Sequence, residues 1–387
     1  MNQQLKAEYE KRLEKTREEA VRRGFSALLV FGLAPRRVGD LMYLTGHQPM
    51  LPGHPRRFEF RGRGYSVIVL PVEGEACLLT TTPFYERDLY LKDVTYVDNL
   101  PTAVCQQITK RGLTHADIGI VGMDILGAAL YEDLKCELNH VRFYHADDIV
   151  MNLRAVKSPY ELSILREGAS IADEVAVLLR QWLSPGKTEW EVYQFITSEL
   201  SKRGVSNAFA TCQSGARSET PYELEYATQK VIQDGDMVHM EINGKLDGYM
   251  IDICRSTVVG KSTPEQRRIL DLALEMFEQG ASAMRPGVTA ESIETVTGTL
   301  ALQHGFDHNH TRRFGGKATL AGHAIGLGVD EPPVLATGDI TRLVPGMVIT
   351  LEPGIYETGF GGCRVEDELL ITESGCENLN RSERKWW

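Results

Sequence analysis

The chain has 387 residues, 42% of them hydrophobic and 25% charged, an ordinary globular composition. Its 42 basic and 53 acidic residues leave a formal net charge of −11, which argues against a general nucleic-acid or anionic-membrane surface. No apolar run approaches the length of a membrane span, and the charged opening MNQQLKAEYEKRLEKTREEA reads as a helix rather than a secretion signal.

A chain of this length exceeds one ordinary core, so two domains are expected. Over the first 150 residues strand-like runs alternate with helical ones. SALLVFG, YSVIVLP, ACLLTTT, VTYVDN and IGIVGM read as strands, and residues 4–24, 101–112 and 126–137 as helices. That pattern predicts an α/β domain over 1–153 with a mainly buried sheet. Within it, HPRRFEFRGRGYS places Arg56, Arg57, Arg61 and Arg63 beside Phe58 and Phe60 in an otherwise acidic protein. After VMNLRAVKSPYEL a second domain, 154–387, is expected. Ser158, Pro159 and Glu161 form a capping box that opens a long helix there.

From that point the chain repeats itself. SPYE at 158 is echoed by TPEQ at 263, and PGKTEWEV at 185 by PGVTAESI at 286. The helices that follow end at Gly204 and Gly305, each 19 residues past its proline. GDMVHME at 235 and GMVITLE at 346 each run from glycine into a strand with a carboxylate six residues on. Correspondences in the same order predict two related half-domains. Glu241 and Glu352 then occupy equivalent places, with Asp252 eleven residues past the first and Glu366 fourteen past the second.

The stretch MVHMEINGKLDGYMIDICRS reads as a hairpin turning at GKLDG. Its acids Glu241 and Asp252 stand among Met, Val and Ile, where a bare carboxylate is costly. Four such acids brought together would repel one another and mostly be protonated unless something positive lies between them. One or two divalent metal ions, held by oxygen ligands and a histidine, would meet that need. GHAIGLGVDEPP supplies His323 in a glycine-flanked stretch. His239, two residues before Glu241, points to the same strand face and is a candidate ligand or base beside its plainer reading as a buried structural histidine. HNH at 308–310, followed by TRR, reads as a polar loop, and Cys254 and Cys363 as packing residues. Seven dispersed cysteines without a C-x-x-C pair suit reduced thiols and a cytoplasmic location.

The motifs DGYMIDICRS, GHAIGLGVDEPP, LVPGMVITLEPGIY and GGCRVEDELLIT resemble those of the pita-bread metallopeptidases, the family of methionine aminopeptidase, aminopeptidase P, prolidase and the metal-free creatinase. The resemblance runs from about residue 154 to the end, and more loosely over the first 150 residues to the N-terminal domain of the creatinase and prolidase branch. It implies an α/β N-terminal domain followed by an α+β pita-bread catalytic domain with an internal pseudo-twofold repeat. It places the metal ligands on Asp252, His323, Glu352 and Glu366, and the fifth on Glu241, which stands where the family usually has Asp. It further implies manganese as the first metal to consider, with zinc, iron or cobalt as others, and a homodimer whose N-terminal loop closes over the partner's site. In that setting Arg61 or Arg63 would grip a substrate carboxylate.

Two departures bear on substrate. The family commonly has histidines where this chain has Tyr222 and Asp330. A tyrosine donates to a developing oxyanion, and an aspartate holds an ammonium or guanidinium group. The leading expectation is therefore a metal-dependent hydrolase of a C–N bond in a short peptide, small amide or cyclic amidine-like compound, and not an ordinary Xaa-Pro peptidase. Glu352 would be ligand and proton acceptor, with His323 and Tyr222 steadying the tetrahedral intermediate. Other readings stay open: a metal-free hydrolase of the creatinase or ectoine hydrolase kind, a metal-dependent lyase, and a non-catalytic binding module. No nucleic-acid or membrane partner is expected.

Overall fold

The computed structural model describes residues 3–35, 37–49, 51, 60–86, 89–219, 227–306, 312–314, 318–357 and 359–387, with backbone only at 312–314, 318 and 319. They form two compact units, 1–154 and 155–387.

In the first unit, α1 (Gln3–Arg22), β1 (Ala27–Leu33) and α2 (Gly39–Thr45) precede β2 (Tyr65–Pro71), β3 (Cys77–Thr80) and β4 (Val94–Tyr96). Next come α3 (Leu100–Lys110), β5 (Asp117–Val121), α4 (Ala128–Glu137), β6 (Arg142–His145) and α5 (Asp147–Ala155). The six strands make one mixed sheet in the order β4-β3-β2-β1-β5-β6, with β1 antiparallel to β2 and parallel to β5. The unbroken apolar runs follow from this placement: strands at the centre of the sheet are covered on both faces and need no polar alternation. Leu29, Phe31, Val67, Val69, Ile118 and Ile120 meet Val104 and Ile108 of α3 in its core. α2, β6 and α5 escaped the sequence pattern. β6 shows why, because its residues are largely exposed and carry no apolar periodicity.

The second unit opens with α6 (Pro159–Trp182) and α7 (Glu189–Lys202), then β7 (Ser206–Phe209) and β8 (Cys212–Ser214). The hairpin β9 (Met237–Leu246) and β10 (Tyr249–Val258) follows. α8 (Pro264–Ala283) and α9 (Ala290–Gln303) begin the second half. They precede β11 (Arg312–Phe314), β12 (Ala318–Ala324), β13 (Glu331–Ala336), β14 (Val348–Leu351), β15 (Gly354–Glu357), β16 (Gly361–Arg364), β17 (Asp367–Ile371) and β18 (Cys376–Asn378). One sheet runs β10-β9-β7, with β8 also on β9; the other runs β11-β12-β14-β17-β18, with β13 also on β12.

The internal repeat is carried in the backbone. Ser158 and Glu161 cap α6 reciprocally, as Thr263 and Gln266 cap α8, each with proline in the first turn. Gly235 and Gly346, which lead into β9 and β14, share φ values of 89° and 93°, a region closed to most side chains. The β9–β10 turn is shorter than the sequence suggested. β9 continues through Leu246, and the loop is Asp247–Gly248 alone, with φ of 46° and 86°. Two residues at positive φ form the tight turn whose twist matches paired strands, and Asp-Gly is a favoured sequence for it.

The halves are joined through Arg255 of β10. It pairs with Asp367 at 2.7 Å and donates to the Glu366 carbonyl at 2.8 Å and to Ser382 Oγ at 2.8 Å. All seven cysteines are free thiols. No described helix is long and apolar enough to cross a membrane.

Candidate metal centre

Strand alternation builds the first wall of the site. His239, Glu241 and Asn243 share one face of β9, and antiparallel register sets Ser256, Cys254 and Asp252 opposite them in turn. The second half supplies the other wall. β12 carries His323, paired in register with Thr350 of β14. Glu352 follows the end of β14, its N–H donating to the Ala321 carbonyl at 2.8 Å. Glu366 lies between β16 and β17 and exchanges backbone hydrogen bonds with Cys254, at 3.2 and 3.4 Å. That small bridge sews the two halves together between two of the acids. Glu241, Asp252, His323, Glu352 and Glu366 are each no more than 3% exposed.

Among the described residues, ligand atoms of Asp252, His323 and Glu366 lie within 4.8 Å of one another. His323 Nδ1 is 3.1 Å from the Ala324 carbonyl, to which only a ring N–H can donate, so Nε2 is the atom turned into the site. Around Nε2 stand Asp330 Oδ1 at 3.3 Å, Glu352 Oε1 at 3.6 Å and Asp252 Oδ2 at 3.7 Å. Acceptor faces acceptor there unless a proton or a metal ion stands between. Burial, then the neighbouring Glu366 and Glu352, push the Asp252 carboxyl well above the usual carboxylate range. A divalent cation removes both strains at once, and a carboxylate-rich set with one imidazole is a donor set of the right kind for it. The residues present fit the group.

Arg364 of β16, fully buried, is the cation already in the site. It pairs with Glu241 through Nη2, donates to Glu352 Oε2 through Nη1 at 2.8 Å, and brings Nε within 3.9 Å of Glu366 Oε2. Asn243 stands between the two acids of the hairpin. Its nitrogen donates to Asp252 Oδ1 at 2.8 Å, and its other terminal atom lies 3.3 Å from Glu241 Oε2. Behind them Glu368, whose carboxyl burial raises well above its usual range, accepts the Asp252 N–H at 2.9 Å.

The other expected residues fall as follows. His239 is buried, with its ring edge-on to Tyr356 at 6.2 Å between centroids. Burial, then the Arg364 charge, pulls its pKa down to about 3. It is a neutral imidazole outside the Asp252–His323–Glu366 cluster. Asp330 is 63% exposed and reaches His323 from the solvent side. Arg61 and Arg63 belong to the first unit and are exposed there. Tyr222, Arg56, Arg57, Phe58 and the HNH stretch lie outside the described residues. Cys254 and Cys363 are buried, burial raising the first thiol well above its usual range and the second to about 12. Sequence reading missed Arg364, Asn243 and Glu368. The signal for Asn243 was present, since it stands two residues past Glu241 on the same strand.

The profile of Metallopeptidase family M24 matches residues 163–373. A Xaa-Pro dipeptidase of Pyrococcus horikoshii is 33% identical over 322 residues, 81% of this chain and 89% of the relative. One from Pyrococcus furiosus is 33% identical over 270 residues, 69% of this chain and 74% of the relative. The crystal structure of the prolidase from Pyrococcus horikoshii superposes with a TM-score of 0.81 at 26% identity, covering 97% of this chain and 100% of the other.

Proposed function

The chain belongs to metallopeptidase family M24, and from that premise we propose that it cleaves short peptides at a C–N bond with a bound divalent ion, manganese being the first candidate. It is a hydrolase of peptide C–N bonds, as its relatives are. The observation that carries the metal-dependent reading is the convergence of Asp252, His323 and Glu366 from both halves of the repeat onto one buried point.

Asp252, His323 and Glu366 would hold the ion, with Glu352 at its edge. When bound, the ion supplies Lewis acidity, lowering the pKa of a water and polarising the scissile carbonyl. Glu352 is assigned the water's proton. Arg364 keeps one of its oxygens occupied at 2.8 Å, while the other faces His323. Tyr222 is assigned to the developing oxyanion. Asp330, an exposed carboxylate against His323, is assigned to the ammonium group of the substrate. These two residues replace imidazoles common in the family, which supports a substrate preference different from that of an ordinary Xaa-Pro peptidase. A homodimer in which Arg61 and Arg63 reach a substrate carboxylate completes the reading, and sedimentation equilibrium at the monomer mass alone would remove that part.

The test is a panel of Xaa-Pro dipeptides, other dipeptides, and cyclic and guanidino compounds, assayed with manganese and again after exhaustive chelation. Turnover of dipeptides that vanishes on chelation and returns with the metal is expected. Turnover that survives chelation, or that is confined to guanidino compounds, would overturn the proposal.

A further inference from the structure

We propose that this centre binds one divalent ion rather than two, because Arg364 and Asn243 occupy the place a second ion would need. The inference rests on the metal-dependent reading above.

Among the described residues, the acids whose ligand atoms converge with His323 are Asp252 and Glu366; Glu241 is not one of them. Its side chain is one methylene longer than the aspartate common in the family, and its carboxylate is directed to the guanidinium of Arg364. Asn243, on the same face of β9, fills the gap between Glu241 and Asp252 with a neutral amide that touches both. A second ion bridging these two carboxylates would have to displace that amide. It would also stand against a guanidinium that does not give up its proton.

Arg364 is held where it is. Its own N–H donates to Ser256 Oγ at 2.9 Å, and Ser256 Oγ donates to its carbonyl at 2.8 Å. Ser256 is 1% exposed and Arg364 also 1%, so the side chain has no route to solvent without opening the seam between β10 and β16. The fork of Arg364 thus neutralises Glu241 and one oxygen of Glu352 as a permanent monovalent cation. The remaining oxygen of Glu352, 3.6 Å from His323 Nε2, stays on the side of the Asp252–His323–Glu366 cluster. The centre is divided into an arginine half and a metal half, and Glu352 spans the two.

Metal content decides this. The full chain would be loaded with manganese, desalted and measured by elemental analysis, alongside Glu241→Asp and Asp252→Asn. One equivalent per chain is expected for the wild type and for Glu241→Asp, which leaves Arg364 and Asn243 in place, and loss of the ion in Asp252→Asn. Electron paramagnetic resonance of the manganese-loaded wild type needs no variant. It should show the hyperfine pattern of an isolated ion and not the exchange-coupled spectrum of a pair. Two equivalents, or a coupled spectrum, in the wild type would overturn the inference and leave metal-dependent hydrolysis standing. No metal at all would overturn both. Two equivalents in Glu241→Asp would overturn the role given to Arg364 and Asn243.

Discussion

Each unit buries a polar cluster, and the two are built on opposite principles. In the first, His47 Nε2 lies 3.2 Å from Ser66 Oγ and 3.1 Å from Thr82 Oγ1. Thr80 Oγ1 closes the group at 2.6 Å from Ser66 and 2.7 Å from Thr82. Every member is uncharged, and hydroxyls serve as donor and acceptor in turn, so the cluster satisfies itself. In the second unit, carboxylates and an imidazole nitrogen are gathered where, among the described residues, Arg364 is the cation paired with them. A self-satisfied cluster specifies a fold, whereas one short of positive charge specifies a guest. The contrast separates structural polar burial from functional polar burial within one chain.

The sharpest way to break this comparison is to change the acid assigned to proton transfer. Glu352→Gln is expected to lower kcat by about 10²–10⁴-fold, the usual worth of a positioned acid–base group. Metal content should stay unchanged, because Asp252, His323 and Glu366 remain. A variant that keeps wild-type kcat would move Glu352 out of the chemistry.

The first-unit cluster carries the next largest effect, and it is a pH effect. Burial lowers the His47 pKa to about 4. The unfolded chain, near 6.5, then binds the proton more readily between those values. The neutral form's stability is whole above pH 6.5 and is lost as pH falls toward 4, by about 3 kcal/mol. His47→Gln should flatten that loss, so the stability gap between wild type and variant in urea unfolding narrows or inverts from pH 7 to pH 4.5. A gap that does not change with pH would contradict the account.

Asp252→Asn inverts the usual sign. Without metal it relieves a buried acid crowded by Glu366 and Glu352, and the apo protein should gain about 1 kcal/mol. With manganese present, the wild type should be stabilised and the variant should not, as read from melting temperatures with and without the ion. Equal stabilisation of both by the ion would place the metal elsewhere. The smallest effect is expected at the rim. Asp330→Asn, at an exposed position, should raise KM for substrates with a free ammonium by about 2–5-fold, as befits a solvent-screened charge pair, and leave blocked substrates unaffected.

How much of this was legible beforehand follows the same division. The acids, His323 and the two-half plan could be read because they sit in local motifs repeated along the chain, with Gly235 and Gly346 marking equivalent strand entries. Arg364 stood in plain view in CRVEDELLI, yet nothing in the sequence says that its side chain turns toward Glu241 and Glu352 instead of solvent; the sheet pairing decides that. Asn243 could have been found from strand alternation alone, two residues past Glu241. The His47 cluster could not, because Ser66, Thr80 and Thr82 are ordinary strand and turn residues until β2 and β3 pair beside the end of α2. Local pattern reveals what one segment does, and tertiary pairing decides which polar groups end up facing one another.

The central claim is that acids from both halves surround a bound cation at His323. Anomalous diffraction at the manganese edge from crystals of the metal-loaded protein tests it directly. The account predicts a peak within coordination distance of Asp252, His323 and Glu366 together. Crystals saturated with manganese that show no peak there, with ordered side chains around an empty centre, would contradict it.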